Sequence, residues 1–250
     1  MIVLAIDTCD SRGSVVLLRD DSVLAMATHE ADEDYSSWLL PAVGAVLEKA
    51  LLPVGGGVFK KVDLKMKDVD VFGVATGPGS FTGSRIGLTT VKAWGEVYGK
   101  PIVGVSRLEL MAWQAWGGTD YVASWADARR GQVFGAVYRR TEKGLERLGD
   151  EMVMEPGKFV EKAAELAGGE KIAWASGDVD CMFDQPEWKA RQGQNEGFEL
   201  VSGFLGIGIA RMARIAAAAG RYTDALALDA NYVRRSDAEV FWKGNAARGR

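Results

Sequence analysis

Apolar positions along the chain fall into short unbroken runs separated by polar turns. Residues 2–6 (IVLAI) form one such run, ended by Asp7, the pattern of a strand buried on both faces. A polar turn over 7–12 precedes GSVVLL and VLAMATH, which read as two further strands. Helical spacing holds over 35–52, 81–98 and 106–116, with the strands VDVFGVA and PIVGV between these helices. Three strands followed by helix–strand–helix–strand–helix predict a mixed sheet with covered faces.

The second half repeats the order. YVASWA ends at Asp127, a turn spans 128–130, and GQVFGAVYRR returns as a hairpin partner. A third strand near 145–154, a helix at 157–167, the strand KIAWAS and a helix at 203–219 complete a shorter copy. In each half an aspartate ends the first strand and a glycine opens the second, Asp7 with Gly13 and Asp127 with Gly131. The expectation is an α/β fold of two similar lobes, 1–117 and 118–250, each a mixed sheet with flanking helices. Residues 52–68 (LPVGGGVFKKVDLKMKD) read as a surface loop or small flap within the first lobe. The stretch 178–199 shows no sustained period and reads as irregular.

Charge and cysteine content narrow the classes. The 250 residues carry a net charge of -4, which argues against a broad basic face and predicts weak nucleic-acid binding by the chain alone, lost in moderate salt. Any basic contact falls to Lys60, Lys61, Lys65 and Lys67 in the long loop, or to the arginine-bearing tail. Cys9 and Cys181 belong to no C-x-x-C pair and fit a reducing compartment. The start MIVLAID lacks the basic region of a signal peptide, and Arg211 and Arg214 interrupt the most apolar late segment. A cytoplasmic location without membrane attachment is expected.

Aspartate-tipped hairpins in two lobes are how the sugar kinase, heat-shock and actin superfamily holds nucleotide phosphates, with glycines allowing close approach. Here the turns read Asp7-Thr8-Cys9 and Asp127-Ala128-Arg129. Neither has glycine two residues after its aspartate, and Arg129 is bulky where a phosphate needs space, so the pattern is that of a weakened nucleotide site. The aspartates could instead cap tight turns, and Arg129 could form an ion pair across the lobes or an anion contact to a partner. One histidine, His29, followed by Glu30, Asp32 and Glu33, falls short of a zinc hydrolase ligand set. Acids before a helix complement its dipole. No metal site is expected, and no Ser-His-Asp triad on a G-x-S-x-G elbow.

The segment ATGPGSFTGSRIG (75–87) concentrates glycine at a strand-to-helix junction. It is neither a Walker loop nor G-x-G-x-x-G, and Ser80 and Thr82 can cap the helix. Gly83, Gly87, Val91 and Gly95 lie four apart on one helical stripe, and each interior glycine costs about 0.5–1 kcal/mol against alanine. Close packing must offset this. Two readings follow: the helices 35–52 and 81–98 pack on their own sheet, or the stripe, with Trp38 and Leu39 of the first helix, meets a second protein.

VLAIDT, GPGSFTGSRIG, GVSRLELMA, DARRGQVFGAVY and NYVRRSDAE, in this order from residue 2 to about 240, resemble the bacterial TsaB (YeaZ) family. The resemblance implies an actin-like ATPase, ribonuclease H-like fold and a non-catalytic partner of TsaD, the enzyme that places threonylcarbamoyl on adenosine 37 of tRNA. It implies a TsaE-type ATPase as second partner, tRNA contact only through the complex, a possible homodimer when alone, and no cofactor. It also implies degenerate phosphate loops at Asp7, Thr8, Asp127 and Arg129. Loop and partner contacts are expected at Gly77, Gly79, Ser80, Phe81, Thr82, Gly83, Arg85, Gly87, Val91, Gly95, Trp38 and Leu39. Ser84 departs from the aliphatic residue usual after GPGSFTG, and the 52–68 loop is longer than usual. Rival classes are a glycoprotease-like metallopeptidase, for which TsaD-type H-x-x-x-H ligands are missing, and a small-molecule kinase, for which the hairpin glycines are missing.

Overall fold

The structure, a computed structural model, describes residues 1–29, 33–116, 118–193 and 196–233. The first lobe opens with β1 (Ile2–Asp7), β2 (Ser14–Arg19) and β3 (Ser22–Thr28), then α1 (Tyr35–Glu48), β4 (Leu51–Gly55) and β5 (Val58–Lys61). It continues with β6 (Val71–Gly77), α2 (Phe81–Tyr98) and β7 (Ile102–Ser106). After α3 (Arg107–Gln114) come β8 (Tyr121–Asp127), β9 (Val133–Thr141), β10 (Gly144–Arg147), β11 (Met152–Met154) and α4 (Pro156–Leu166). The chain closes with β12 (Ile172–Ser176), α5 (Pro186–Gln192), β13 (Phe198–Leu200) and α6 (Gly206–Ala218).

The duplication is visible in the strand orders, β3-β2-β1-β6-β7 in one sheet and β10-β9-β8-β12-β13 in the other. In both, the first strand of the lobe is central, antiparallel to its hairpin partner and parallel to the later crossover strand. Asp7 pairs with Ser14 and Asp127 with Val133 at matching hairpin ends. The unbroken apolar runs have a simple cause. Leu4 and Ile6 face a core shared with α1 and α2, while Val3 and Ala5 face a second core shared with α3 and α6. That middle core also takes Val122, Ala126 and Ala136 of the second sheet. Beyond it, Trp125, Trp174 and Phe159 pack with Trp188 under α4 and α5. The layers therefore run helix, sheet, helix, sheet, helix.

A boundary at 117 divides the strands of the two sheets but not the helices. α6 packs on β1, β2 and β6 of the first sheet, and α3 on β8, β9 and β12 of the second, so each lobe lends a helix to the layer between them. Three local expectations are corrected. The 52–68 loop contains a two-stranded hairpin, β4–β5. The 145–154 strand is two short strands, β10 and β11, both paired to β9. The stretch 178–199 contains α5 and β13, stabilised by the contacts of Trp188 and Phe198 with Trp125. No helix among the described residues is long and apolar enough to cross a membrane.

The glycine stripe of α2 faces this chain's own interior, and the expectation of a partner there is corrected. Gly83, Gly87, Val91 and Gly95 are buried. A Cβ on Gly83 would lie 2.0 Å from the Thr8 carbonyl oxygen, one on Gly87 2.5 Å from Thr8 Oγ1, and one on Gly95 2.7 Å from Ile102 Cδ1. Leu39, 2% exposed, belongs to the same core. The glycines bring α2 against the β1 end and β7 where no side chain fits. Gly44 in α1 is the contrast, since a Cβ there meets nothing within 4 Å. Gly87→Arg is expected to lower stability in urea unfolding by about 3 kcal/mol or more, overpacking adding to a buried unpaired charge. Gly44→Ala should raise it by about 0.5–1 kcal/mol. An unchanged midpoint for Gly87→Arg would return the stripe to the surface.

Candidate functional site

Between the lobes lies a cleft of about 670 Å³, lined among others by Cys9, Asp10, Gly79, Ser84, Arg107 and Arg129. Its floor is the turn after β1. The Cys9 amide donates to Asp7 Oδ1 at 2.9 Å and the Ser11 amide to Asp10 Oδ1 at 2.7 Å. The glycine-rich loop docks directly on this turn. Ser80 N–H donates to the Cys9 carbonyl at 2.6 Å, and Thr8 Oγ1 donates to the Gly83 carbonyl at 2.7 Å. A Cβ on Gly79 would sit 2.0 Å from the Cys9 oxygen, so this glycine is required for the contact. Gly77 has φ 104° at the bend, and Ser80 caps α2 by accepting from the Gly83 amide at 3.2 Å. Ser84 is buried, with Oγ 2.8 Å from the Ser80 carbonyl and 3.3 Å from Cys9 Sγ. The Ser80 amide and Gly83 carbonyl of the loop are spent on the first hairpin, and Ser80 Oγ on α2 itself.

The opposite wall is the second hairpin, closed on itself in the same way. Arg129 N–H donates to Asp127 Oδ1 at 2.7 Å, Ala128 N–H to Gln132 O at 3.0 Å and Gln132 N–H to Arg129 O at 3.1 Å. Arg129 and Arg130 adopt left-handed backbone, φ 61° and 56°, which costs a non-glycine residue about 1–2 kcal/mol. The Arg129 guanidinium, well exposed, pairs with Asp127 of its own turn at 3.2 Å. The ion pair across the lobes is made elsewhere.

It is made by residues that the sequence reading did not single out. Arg107, the first residue of α3, is 2% exposed and inserts between the two carboxylates of the first hairpin. Its Nη2 donates to Asp10 Oδ2 at 3.0 Å, Nη1 to the Pro78 carbonyl at 3.2 Å, and Nε lies 3.4 Å from Asp7 Oδ2. Arg12 also donates to Asp10 Oδ2, at 3.1 Å, and reaches into the second lobe to Asp178 and, at 3.0 Å, the Gly177 carbonyl. Asp178 accepts from the Asp127 amide at 3.1 Å, which ties the two hairpins together. A charge ladder Asp7–Arg107–Asp10–Arg12–Asp178 thus runs across the cleft floor. Arg107 breaks an apolar strand-to-helix junction, and a buried cation there requires a carboxylate partner; that is the signal available in the sequence.

Electrostatics follow from this burial. Burial raises the Asp7 carboxyl, and Arg107 only partly offsets it. Burial also acts to raise Asp10, but Arg107 and Arg12 together hold it well below the usual carboxylate range. The Cys9 thiol is pushed up to about 12, first by burial and then by Asp7, which leaves it a poor nucleophile. His29 directs Nδ1 to the Ser11 carbonyl at 3.1 Å and Nε2 to the Glu33 carbonyl at 2.6 Å, so neither nitrogen is turned toward a metal. Glu30 and Asp32 lie outside the described residues. Among the described residues no group of three or more histidine, cysteine or acidic side chains could hold a metal. Phe81, Thr82 and Arg85 remain at the surface. Arg85 lies 3.7 Å over the Phe81 ring and donates to the Tyr232 hydroxyl at 2.8 Å.

With this geometry in view, the relatives are informative. The sequence profile described as TsaD, tRNA N6-adenosine threonylcarbamoyltransferase, matches residues 30–231. The tRNA threonylcarbamoyladenosine biosynthesis protein TsaB of Escherichia coli is 32% identical over 67% of this chain and 68% of its own length. The TsaB of Bacillus subtilis is 34% identical over 59% of each chain, so the match spans less than two thirds of that relative. The chain belongs to the TsaB (YeaZ) family. Its fold agrees with that of YeaZ from Pseudomonas aeruginosa, with a TM-score of 0.66 and 24% identity over 91% of this chain and 98% of the other.

Asp10 gives the site a pH signature. Because its folded-state pKa is depressed, its stabilisation is present above the unfolded value of about 3.9 and is lost as pH falls below it. Asp10→Asn should therefore flatten the decline in urea stability between pH 5 and pH 3. A decline as steep as that of the wild type would contradict the Arg107–Asp10–Arg12 linkage.

Proposed function

We propose that this chain is the non-catalytic subunit that pairs with a TsaD-type enzyme in forming threonylcarbamoyladenosine at position 37 of tRNA. One observation carries the pseudoenzyme part of this reading: the Arg107 guanidinium occupies the carboxylates of the first hairpin, while both hairpins use their amides internally. A nucleotide phosphate needs those amides, and its metal needs those carboxylates. Family membership supports the pathway. A TsaE-type ATPase as further partner, tRNA contact through the complex and a cytoplasmic site of action complete the reading.

The partner surface fits the outer face of the α1–α2 layer. α1 and α2 are adjacent and cover the same side of the first sheet, so their remaining side chains point outward. Leu40 is 60% exposed and Val97 73% exposed. Gly44 weakens the α1 interior with no packing of its own in return. Of the contacts expected from the sequence, Thr82 is exposed, Trp38 half-buried, and Phe81 and Arg85 are exposed against Tyr232 at the cleft, whereas Leu39 and the glycine stripe serve the core.

Leu40→Glu should weaken capture of a co-expressed TsaD-type protein at least tenfold, while urea stability changes by no more than about 0.5 kcal/mol. Size exclusion separates the hetero-complex from a homodimer built on the same face. The chain alone should release phosphate from ATP only at background rate. Steady ATP turnover by the purified chain, or a wild type that fails to bind the TsaD-type protein and only self-associates, would contradict the proposal.

A further inference from the structure

The β4–β5 hairpin is an appendage whose chemistry differs from that of the rest of the chain. Residues 49–67 carry five lysines against one aspartate, in a chain of net charge -4. Lys49, Lys60, Lys61, Lys65 and Lys67 are all exposed. Neighbouring acids are largely engaged: Asp63 pairs with Lys65 at 2.8 Å, Asp68 accepts from the Lys65 amide at 2.8 Å, and Asp70 accepts from the Ile2 amide at 2.7 Å. Among the described residues, Lys60 and Lys61 are in no salt bridge, Asp63 feeling Lys61 only through space. A local positive field therefore stands out from an acidic body.

The register sorts the hairpin into two faces. Leu52 pairs with Lys60, and Leu52 packs against the first-lobe core, which anchors that face to the body. Leu51 pairs with Lys61 and Pro53 with Phe59, so Phe59 and Lys61 share the other, outward face. Phe59 is 62% exposed. Three left-handed glycines, Gly55, Gly56 and Gly57, form a tip in which a side chain would meet nothing within 4 Å. An exposed aromatic ring beside Lys61, with Lys60 exposed on the other face of the same narrow ribbon, matches what RNA offers: a base face for stacking and phosphates for the cations.

We propose that the β4–β5 hairpin is an RNA-contacting arm whose outward face sets Lys61 on a phosphate and Phe59 on an unpaired base, while Lys60, exposed on the other face of the ribbon, adds a second phosphate contact from the side. The choice of RNA rests on the proposed place of this chain in tRNA modification. The arm adds a weak contact of its own, one that counts once a partner holds the tRNA.

The test measures binding of an unmodified tRNA transcript by the full chain across a salt series starting at low ionic strength, with partner capture measured on the same proteins. Lys60→Glu with Lys61→Glu should reduce low-salt affinity on the order of tenfold and flatten the slope of log K against log salt by about 1.5. Phe59→Ala should weaken binding several-fold without changing the slope. A control pair on the opposite lobe, Lys143→Glu with Lys189→Glu, should leave both nearly unchanged, and every variant should keep its capture by the TsaD-type protein. Equal effects of the hairpin and control pairs, or no tRNA retention by the wild type at low salt, would overturn the arm. Loss of partner capture in the hairpin variants would overturn it in favour of a protein contact. Failure of the wild type to capture a TsaD-type protein, with the tRNA result intact, would count against the pathway reading alone.

Discussion

Arg107 between Asp7 and Asp10 is the contact on which the arrangement of the two lobes depends. It comes from the first turn of α3, a helix that packs on the second sheet, yet its charge is neutralised by the first hairpin of the first sheet. The buried Asp7 and partly buried Asp10 carboxylates would otherwise repel each other, and a buried guanidinium alone would be costly. Arg12 extends the pairing to Asp178, and the Asp178 carboxylate then holds the Asp127 amide of the second hairpin. Each link pairs one charge of the cleft floor with the next, from the buried Asp7 and Arg107 to the partly exposed Arg12 and Asp178. The Asp7 Oδ2 and Arg107 Nε atoms make no well-aligned hydrogen bond, so their 3.4 Å pairing is held by charge and enclosure more than by geometry.

The same contact occupies the groups that a nucleotide and its metal would need at two aspartate-tipped hairpins. Amides that could face phosphates are turned to carboxylates and carbonyls within each loop. The glycines of 77–83, which resemble an anion cradle in sequence, let one loop lie against the backbone of another. Backbone approach is the common requirement; what approaches differs.

Much of the fold was legible because burial on both faces leaves short apolar runs, as in IVLAI and KIAWAS, and because the Asp-turn-Gly pattern recurs at the same place in each half. The hairpin at 51–61 was not, since a three-glycine tip and a lysine-rich return strand carry no alternation and only Leu52 is partly buried. Nor was the segment 186–200, where α5 and β13 are fixed by aromatic contacts to Trp125 rather than by local period. At the site, Asp7, Thr8, Asp127 and the glycine loop were found from turn chemistry and spacing. Asp10, Arg12, Arg107 and Asp178 were not, because ion pairs separated by 97 and 166 residues leave no periodic trace. The glycine stripe was read correctly as close packing, but spacing on a helix does not say which neighbour approaches. Only the positions of Thr8 and Ile102 decide that.

The central claim, that Arg107 and the first hairpin form one coupled unit, is tested most directly by a double-mutant cycle in urea unfolding at pH 7 with Arg107→Met, Asp10→Asn and the pair. Coupled charges in a shared buried network are expected to show an interaction energy of about 1.5–3 kcal/mol, with the double variant less destabilised than the two single effects together. Additivity within about 0.5 kcal/mol would contradict the account and leave Arg107 a bystander at the cleft.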